Sequence, residues 1–387
     1  MATYRELPSG RIQARVFHDG TYKSIGTFET KKEAEIKAGE AERRIYYGEG
    51  FIDRDMPLQV VIDEWFDEKA GTIKDRTRTS LEAIKRLHIE PFFGKKKLFK
   101  LRRKDVVDWV THYRNLKNKD GTFKFAYNTR LNILATLKDI FNYAIYDMEI
   151  LSKSPAGRVS VPRNDVDTKK VIKYYNLNDL ETLLDFLKDY EPDRYKEYRL
   201  HYTLLYFLSR TGLRIGEALG LTWGDFDGER IDVNKQASRD DKNNLSIISP
   251  KTLSSYRSIR IDEETSQLLR DFRRIQNKMI LKHDNFHRNK HMAIFQNHDG
   301  THLIPSTIRN SLRRYCNMCG IEYKALHAFR HSHAIISLEA GASLLYISRR
   351  LGHGTIKTTA DTYLDITNQF EEDELHKISN VFNRNMA

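Results

Sequence analysis

Periodicity fails at residues 151–170. There Ser154-Pro155-Ala156-Gly157 and Val161-Pro162-Arg163-Asn164 interrupt a chain otherwise built of short, patterned segments. Proline and glycine at that density break helix and strand alike. An unpatterned connection this long is uncommon inside a compact domain, and 387 residues exceed one ordinary domain. The break therefore predicts a linker over 151–170, with separate folding units on either side.

Ahead of the break the pattern changes once. Residues 3–30 alternate at period two around the hairpin signals Ser9-Gly10 and Asp19-Gly20, which predicts three short strands. Thr30 with Glu33 three residues later reads as a capping box, and a helix follows to about Gly48. Residues 1–50 thus read as a small three-stranded sheet backed by one helix. Arg11, Arg15 and Lys23 are expected on its exposed face. Such a sheet is either a plain packing module or a reader of a DNA groove. Residues 57–150 read as all-helical. Pro57 suits a first helical turn. Apolar residues recur at helical spacing from Thr77 to His88, from Asp105 to Tyr113, and through Leu131, Leu134, Leu137, Phe141 and Ala144.

Beyond the break, Asn178 with Glu181 suggests another helix cap. Helices are predicted near 178–190 and 197–211, strands near 229–234, 244–249 and 256–261, and helices again after Glu263. The fold class is multidomain and mainly α: a small N-terminal three-stranded sheet plus helix (1–50), a helical domain (57–150) and a mixed α+β domain (171–387).

Charge is unevenly spread. Of the net +12, residues 57–170 carry +9, with 24 basic and 15 acidic side chains. Within them Lys95, Lys96, Lys97, Lys100, Arg102, Arg103 and Lys104 place seven cations in ten residues. A charge run is usually a solvated face, but on a basic helical domain it favours phosphate contact. No apolar run approaches the roughly 20 residues of a membrane span, and the N-terminus lacks an apolar signal region, so neither a membrane nor secretion is expected and the chain should work inside the cell. Cys316 and Cys319 are the only cysteines. One C-x2-C pair without suitably spaced histidines does not close a zinc site; a redox pair is the alternative, but the preceding Ser311-Leu312-Arg313-Arg314-Tyr315 reads as helix, so buried structural thiols are the expectation, and no metal or other cofactor is called for.

Breaking a phosphodiester without metal sets a chemical requirement. Charge gathers on the non-bridging oxygens and needs fixed cations, for which the arginine fork is suited. The leaving oxygen needs a proton donor. Keeping the bond energy for rejoining needs a protein nucleophile. The last half of the chain offers such groups in three segments: Thr211-Gly212-Leu213-Arg214-Ile215-Gly216-Glu217, then His327-Ala328-Phe329-Arg330-His331, then Leu351-Gly352-His353 with Tyr363 ten residues after that histidine. A glycine turn is expected to put Arg214 on the first turn of a helix, with Glu217 one turn on, and His327 and Arg330 to share a helix face.

This order and spacing closely resemble the tyrosine recombinases, the group of phage lambda integrase. Each motif alone is weak; their joint order near the C-terminus is specific. The catalytic resemblance covers about residues 171–387, and the three-part layout resembles integrases of phages and integrative elements. The resemblance implies an arm-type DNA-binding domain at 1–50, a helical core-binding (SAM-like) domain at 57–150 and a catalytic domain at 171–387. It implies that Arg214 and Arg330 clamp the scissile phosphate, that His327 and His353 hydrogen-bond it and assist proton transfer, and that Tyr363 attacks it to leave a 3′-phosphotyrosine and a free 5′-hydroxyl. Lys251, between two predicted strands, would protonate the leaving oxygen, with Lys242 its nearest rival; Glu217 would buttress the site. Double-stranded DNA at core and arm sites, a homotetramer, an excisionase and a DNA-bending host protein are the implied partners, in a bacterial cytoplasm at the nucleoid. Phe329 stands where leucine is usual and Gly354 where serine is common, both beside the expected chemistry. Two rivals stay open: a topoisomerase-like or telomere-resolving enzyme with the same nucleophile, and a DNA-binding regulator on a decayed integrase scaffold.

Overall fold

A computed structural model describes residues 2–47, 55–163, 172–190, 197–239, 245–250, 252–282, 286, 292–363, 375 and 379. The chain forms two compact units, Met1–Lys169 and Lys170–Ala387.

The first unit opens with an antiparallel sheet in the order β1 (Ala2–Glu6), β2 (Ile12–His18), β3 (Thr21–Phe28). Helix α1 (Lys31–Tyr46) starts at Thr30, whose side chain accepts from the Glu33 amide at 3.2 Å. Ala34 and Ala38, one turn apart, present no bulk, so α1 sits close on Ala14, Val16, Ile25 and Phe28. Arg15 is exposed on the opposite face beside Phe17 and Tyr22, whose rings meet edge to face at 5.2 Å. Arg11 is exposed just before β2 and donates to the Thr27 carbonyl. Lys23 departs from expectation. The register shifts between Ala14 and Arg15 and pairs Lys23 with buried Val16, on the helix side, where it reaches Asp19 at 3.4 Å. One bulged residue reverses which side chains share a face.

Four helices follow: α2 (Leu58–Ala70), α3 (Asp75–Ile84), α4 (Arg103–Asn115) and α5 (Tyr127–Tyr146). Between α3 and α4 the helix widens over Lys85–Gly94, where Pro91 brings no N–H to the ladder. The apolar stripes meet in a core of Leu58, Ile62, Trp65, Phe93, Trp109, Leu137 and Phe141. Ala156, Val159 and Val161 are buried in that same core, and Arg130 donates to the Pro162 carbonyl at 3.2 Å. Residues 151–163, expected as linker from their prolines and glycine, are therefore packed chain: proline and glycine stop regular structure without preventing burial. In the basic run, Lys96 pairs with Asp105 and Lys97 with Asp55, and Arg103 donates to the Arg158 carbonyl, while Lys95, Lys100, Arg102 and Lys104 are exposed.

The second unit is built on α7 (Leu200–Thr211), which is buried over most of its circumference, as suits a central core helix. Helix α6 (Leu177–Asp189) packs on it; its cap is Asn176, which accepts from the Asp179 amide at 2.7 Å. Asn178 and Glu181, the expected pair, lie inside the helix. After α8 (Ile215–Gly220) come two antiparallel ladders, β4 (Arg230–Val233) with β7 (Arg257–Arg260) and β5 (Gln236–Arg239) with β6 (Leu245–Ile248). Strand β5 was not expected: Gln236-Ala237-Ser238-Arg239 carries no apolar alternation, and it is held by backbone pairing with β6. Helices α9 (Glu263–Lys282), α10 (Pro305–Met318), α11 (His327–Glu339), α12 (Leu344–Leu351) and α13 (Ile356–Tyr363) complete the unit. Cys316 is buried and Cys319 partly so, and burial raises both thiol pKa values. The tail from Glu371 to Phe382, expected as an amphipathic helix, lies outside the described residues except for Leu375 and Ser379. Among the described residues no helix is long and apolar enough to cross a membrane, and no cluster of three or more His, Cys, Asp or Glu could hold a metal ion.

Candidate active site

Helix α7 ends at Gly212, whose φ of +65° lies in the left-handed region. A Cβ there would come within 2.7 Å of both His333 and Leu351. Glycine is thus required by backbone conformation and by close approach. Two residues on, Arg214 is the N-cap of α8, with its side chain 38% exposed. The short helix turns Glu217 back on its own start. One carboxylate oxygen accepts from the Arg214 amide at 3.0 Å and the other from its guanidinium at 2.7 Å.

Glu217 is 3% exposed. Burial alone would raise its pKa, but hydrogen bonding and charge from Arg257, then Arg214, hold it down at about 2. Arg257, on β7, contacts Glu217 Oε2 at 2.9 Å through Nη2 and also donates to the Arg350 carbonyl at 2.7 Å through Nε. Two guanidinium groups therefore share one buried carboxylate.

Arg330 lies on α11 and is 1% exposed. Its Nη1 donates to the Gly212 carbonyl at 3.1 Å and its Nη2 to the Leu351 carbonyl at 2.7 Å. Both acceptors sit two residues before an expected site residue, Arg214 in one case and His353 in the other. Arg330 thus staples together two segments far apart in sequence. His327, on the same helix, is exposed, and its ring meets that of His331 at 4.7 Å.

Leu351-Gly352-His353 leaves α12 through a second left-handed glycine, at φ +69°. A Cβ on Gly352 would lie 3.0 Å from Arg257 Nη1 and the Ser254 carbonyl. His353 Nδ1 meets Thr359 Oγ1 at 2.7 Å. Burial, then the positive charges of Arg330, Arg214, Arg257 and His327, lower the His353 pKa to about 4, so the ring is neutral near pH 7. His333 beneath is also lowered to about 4, by burial and then by Arg350. Its Nδ1 faces the Ser209 carbonyl and its Nε2 accepts from Arg350 Nε at 3.1 Å, which fixes the Nδ1–H tautomer.

The structure brings Arg214, Glu217, Arg330 and His353 into one connected set. Lys251 and Lys242 lie outside the described residues. Of Tyr363 only the backbone is described: it ends α13, one helical turn beyond Thr359. Sequence reasoning missed Arg257, His333, Arg350 and Thr359. Arg257 opens a basic strand and looks like any other basic strand residue; nothing local marks it. What the set presents chemically is a partly open guanidinium, a neutral imidazole and a buried second guanidinium in a field of positive sign, an arrangement suited to holding a tetrahedral oxyanion.

Comparison with known proteins agrees with this reading of the fold. Residues 173–369 match the model of the phage integrase family, and residues 58–113 match the phage integrase N-terminal SAM-like domain. The chain is 28% identical over 287 residues to the ICEBs1 integrase of Bacillus subtilis, covering 71% of this chain and 70% of that protein. It is 26% identical over 370 residues to a XerC-like tyrosine recombinase of Caldanaerobacter subterraneus, covering 91% and 90%. Among solved structures, a fragment of the Tn1549 transposon integrase in complex with transposon right-end DNA is similar in fold, with a TM-score of 0.68, 21% identity, and coverage of 84% of this chain and all of that one. A lambda integrase dimer bound to a core site has a TM-score of 0.56 at 15% identity, with 93% of each chain covered.

Proposed function

The chain belongs to the phage integrase family, and on that premise we propose that its second unit cuts and rejoins DNA at specific sites through Tyr363. It is a tyrosine recombinase, a DNA strand transferase of the kind that mobile elements use. The observation that carries the assignment of residues is the Arg330 staple, which draws the Gly212–Arg214 and Leu351–His353 segments to one place.

In the proposed reaction the scissile phosphate docks on Arg214, the more exposed of the two guanidinium groups, with Arg330 and His327 beside it. Neutral His353 accepts a hydrogen bond from the Thr359 hydroxyl at Nδ1 and offers its Nε2–H to a non-bridging oxygen. Tyr363 passes its phenol proton to His327 as its oxygen attacks phosphorus, the bond to the 5′ oxygen breaks, and Lys251 gives that oxygen its proton. The 3′-phosphotyrosine conserves the ester bond, so a 5′-hydroxyl from a second duplex can reverse the step. Two such exchanges, through a four-way junction, recombine two duplexes held by four protomers.

Residues 1–50 bind arm-type sites, with Arg11 and Arg15 toward the DNA. Residues 57–150 bind the core site together with the catalytic domain at 171–387, through Lys95, Lys100, Arg102 and Lys104 and, with their ion pairs opened, Lys96, Lys97 and Arg103. Linking arm and core binding in one chain adds avidity. An excisionase and a DNA-bending protein of the bacterial host assist in its cytoplasm, at the nucleoid.

The test is a nicked attachment-site duplex incubated with the protein and run on a denaturing gel. A covalent adduct is expected. Tyr363→Phe removes it and leaves binding intact; an adduct that survives the substitution defeats the assignment.

A further inference from the structure

Glu217 presents a difficulty for Arg214. A buried carboxylate 2.7 Å from a guanidinium competes with any phosphate for it. An isolated Arg214–Glu217 pair would carry no net charge, and its guanidinium would be drawn to cover both carboxylate oxygens. The geometry points to Arg257 as the solution. Its side chain is only 7% exposed. It takes Glu217 Oε2 at 2.9 Å and reaches Oε1 at 3.4 Å, leaving Arg214 a single side-chain hydrogen bond to Oε1. The trio then carries one net positive charge, and the exposed member of it is Arg214.

We propose that Arg257 is a positioning residue that satisfies Glu217 so that Arg214 is left to grip the phosphate. Three anchors hold it in that role. Its Nε donates to the Arg350 carbonyl at 2.7 Å and its Nη1 to the Ser255 carbonyl at 3.0 Å, and Gly352 leaves it room where a Cβ would crowd Nη1. Its two tasks use different atoms: Nη2 faces the carboxylate, and Nε ties the β7 strand to the turn before His353. Lysine cannot do both, because a single ammonium lacks the fork. The proposal rests on the reading that Arg214 contacts the scissile phosphate.

The experiment is single-turnover adduct formation on the nicked duplex at saturating protein, with binding measured separately. Wild type, Arg257→Met, Arg257→Lys and the double variant Glu217→Gln with Arg257→Met are compared. Arg257→Met is expected to slow cleavage about a hundredfold, the scale of an active-site misplacement, with binding changed far less. Arg257→Lys falls between. The double variant recovers at least about tenfold of the loss, because a neutral glutamine side chain in place of the carboxylate no longer claims Arg214; this coupling is what a double-mutant cycle isolates. A residue that only supported the turn would give no recovery, since the second substitution removes a further buried interaction. Thus a double variant no faster than Arg257→Met overturns the proposal, as does a wild-type rate in Arg257→Met. If circular dichroism shows that Arg257→Met does not fold, Arg257→Gln, which keeps a donor for the Arg350 carbonyl, replaces it in both single and double variants with the same expectations. Absence of any adduct from wild type is a different result: it strikes the recombinase reading of the site and not the role of Arg257 within it.

Discussion

The two units use charge in opposite ways. Among the described residues, the first unit buries two polar or charged side chains, Arg130 and Thr136, and leaves Lys95, Lys100, Arg102 and Lys104 on its surface. The second buries fifteen, including Glu217, Arg330, His201 and Thr359. Surface cations are hydrated, mobile and screened by salt. They suit an interaction whose free energy comes from releasing counterions along DNA. Buried ions lose their hydration, and each must be satisfied by fixed partners. That burden becomes an advantage in catalysis, because a cation already locked in place needs no reorganisation when charge develops beside it. The difference is between charge that attracts a polyanion and charge that reacts with one phosphate.

The largest effect that would break this contrast is at Arg330. Arg330→Lys keeps the charge but cannot reach both the Gly212 and Leu351 carbonyls. Cleavage of the nicked duplex is expected to fall roughly a thousandfold, and the second unit to become less stable by about 3 kcal/mol without its charge-assisted hydrogen bonds. Denaturant unfolding alongside the adduct assay measures both. Near-normal values would mean that the staple is dispensable.

Acid sharpens the contrast next. His201, His333 and His353 all have folded pKa values of about 4, with burial the first cause in each case. Their unfolded pKa is near 6.5, so the unfolded chain binds more protons as pH falls from 6.5 toward 4. Stability therefore drops through that window, by about 1.4 kcal/mol per pH unit for each of the well-buried pair His201 and His333, and by less for half-buried His353. Glu217 acts lower: its contribution is present above about 4.5 and is lost only as pH falls toward 2. The first unit has only His88 with a lowered histidine pKa among its described residues. The second unit should thus unfold at higher pH than the first. Its single tryptophan, Trp223, makes this readable by fluorescence in a variant with Trp65 and Trp109 replaced by phenylalanine, against Trp223→Phe for the first unit. Simultaneous acid transitions would contradict the difference in buried histidine.

The smallest effect is expected at the surface. Alanine at Lys100 or Lys104 should reduce the salt dependence of DNA binding by about 0.9 in the log–log slope for each phosphate that the variant no longer neutralises. Adduct formation at saturating protein should change less than about twofold, within the range of surface substitutions. A cleavage defect comparable with that of Arg330→Lys would place these cations in the chemistry after all.

Much of this was legible in the chain. Period-two alternation with Gly10 and Gly20 marked the small sheet, helical spacing marked the helices of the first unit, and the spacing of Arg214, Glu217, His327, Arg330 and His353 singled out residues that the fold then arranges around α7 and α11. These signals are local, or are fixed distances along the chain, and local sterics and periodicity write them directly. Strand β5, the pairing of Lys23 with Val16, the burial of Val159 and Val161, and the Arg257–Glu217 ion pair were not legible. Each depends on which distant segment lies alongside: β6 for Gln236–Arg239, a bulge against β2 for Lys23, the helical core for 159–161, and α8 for a strand about forty residues later. A guanidinium looks the same in the sequence whether it ends in water or beneath a carboxylate. Sequence therefore determined which side chains were available for the chemistry, and only tertiary packing decided which of them would be buried, paired and held rigid, because desolvation is a property of the assembled surroundings.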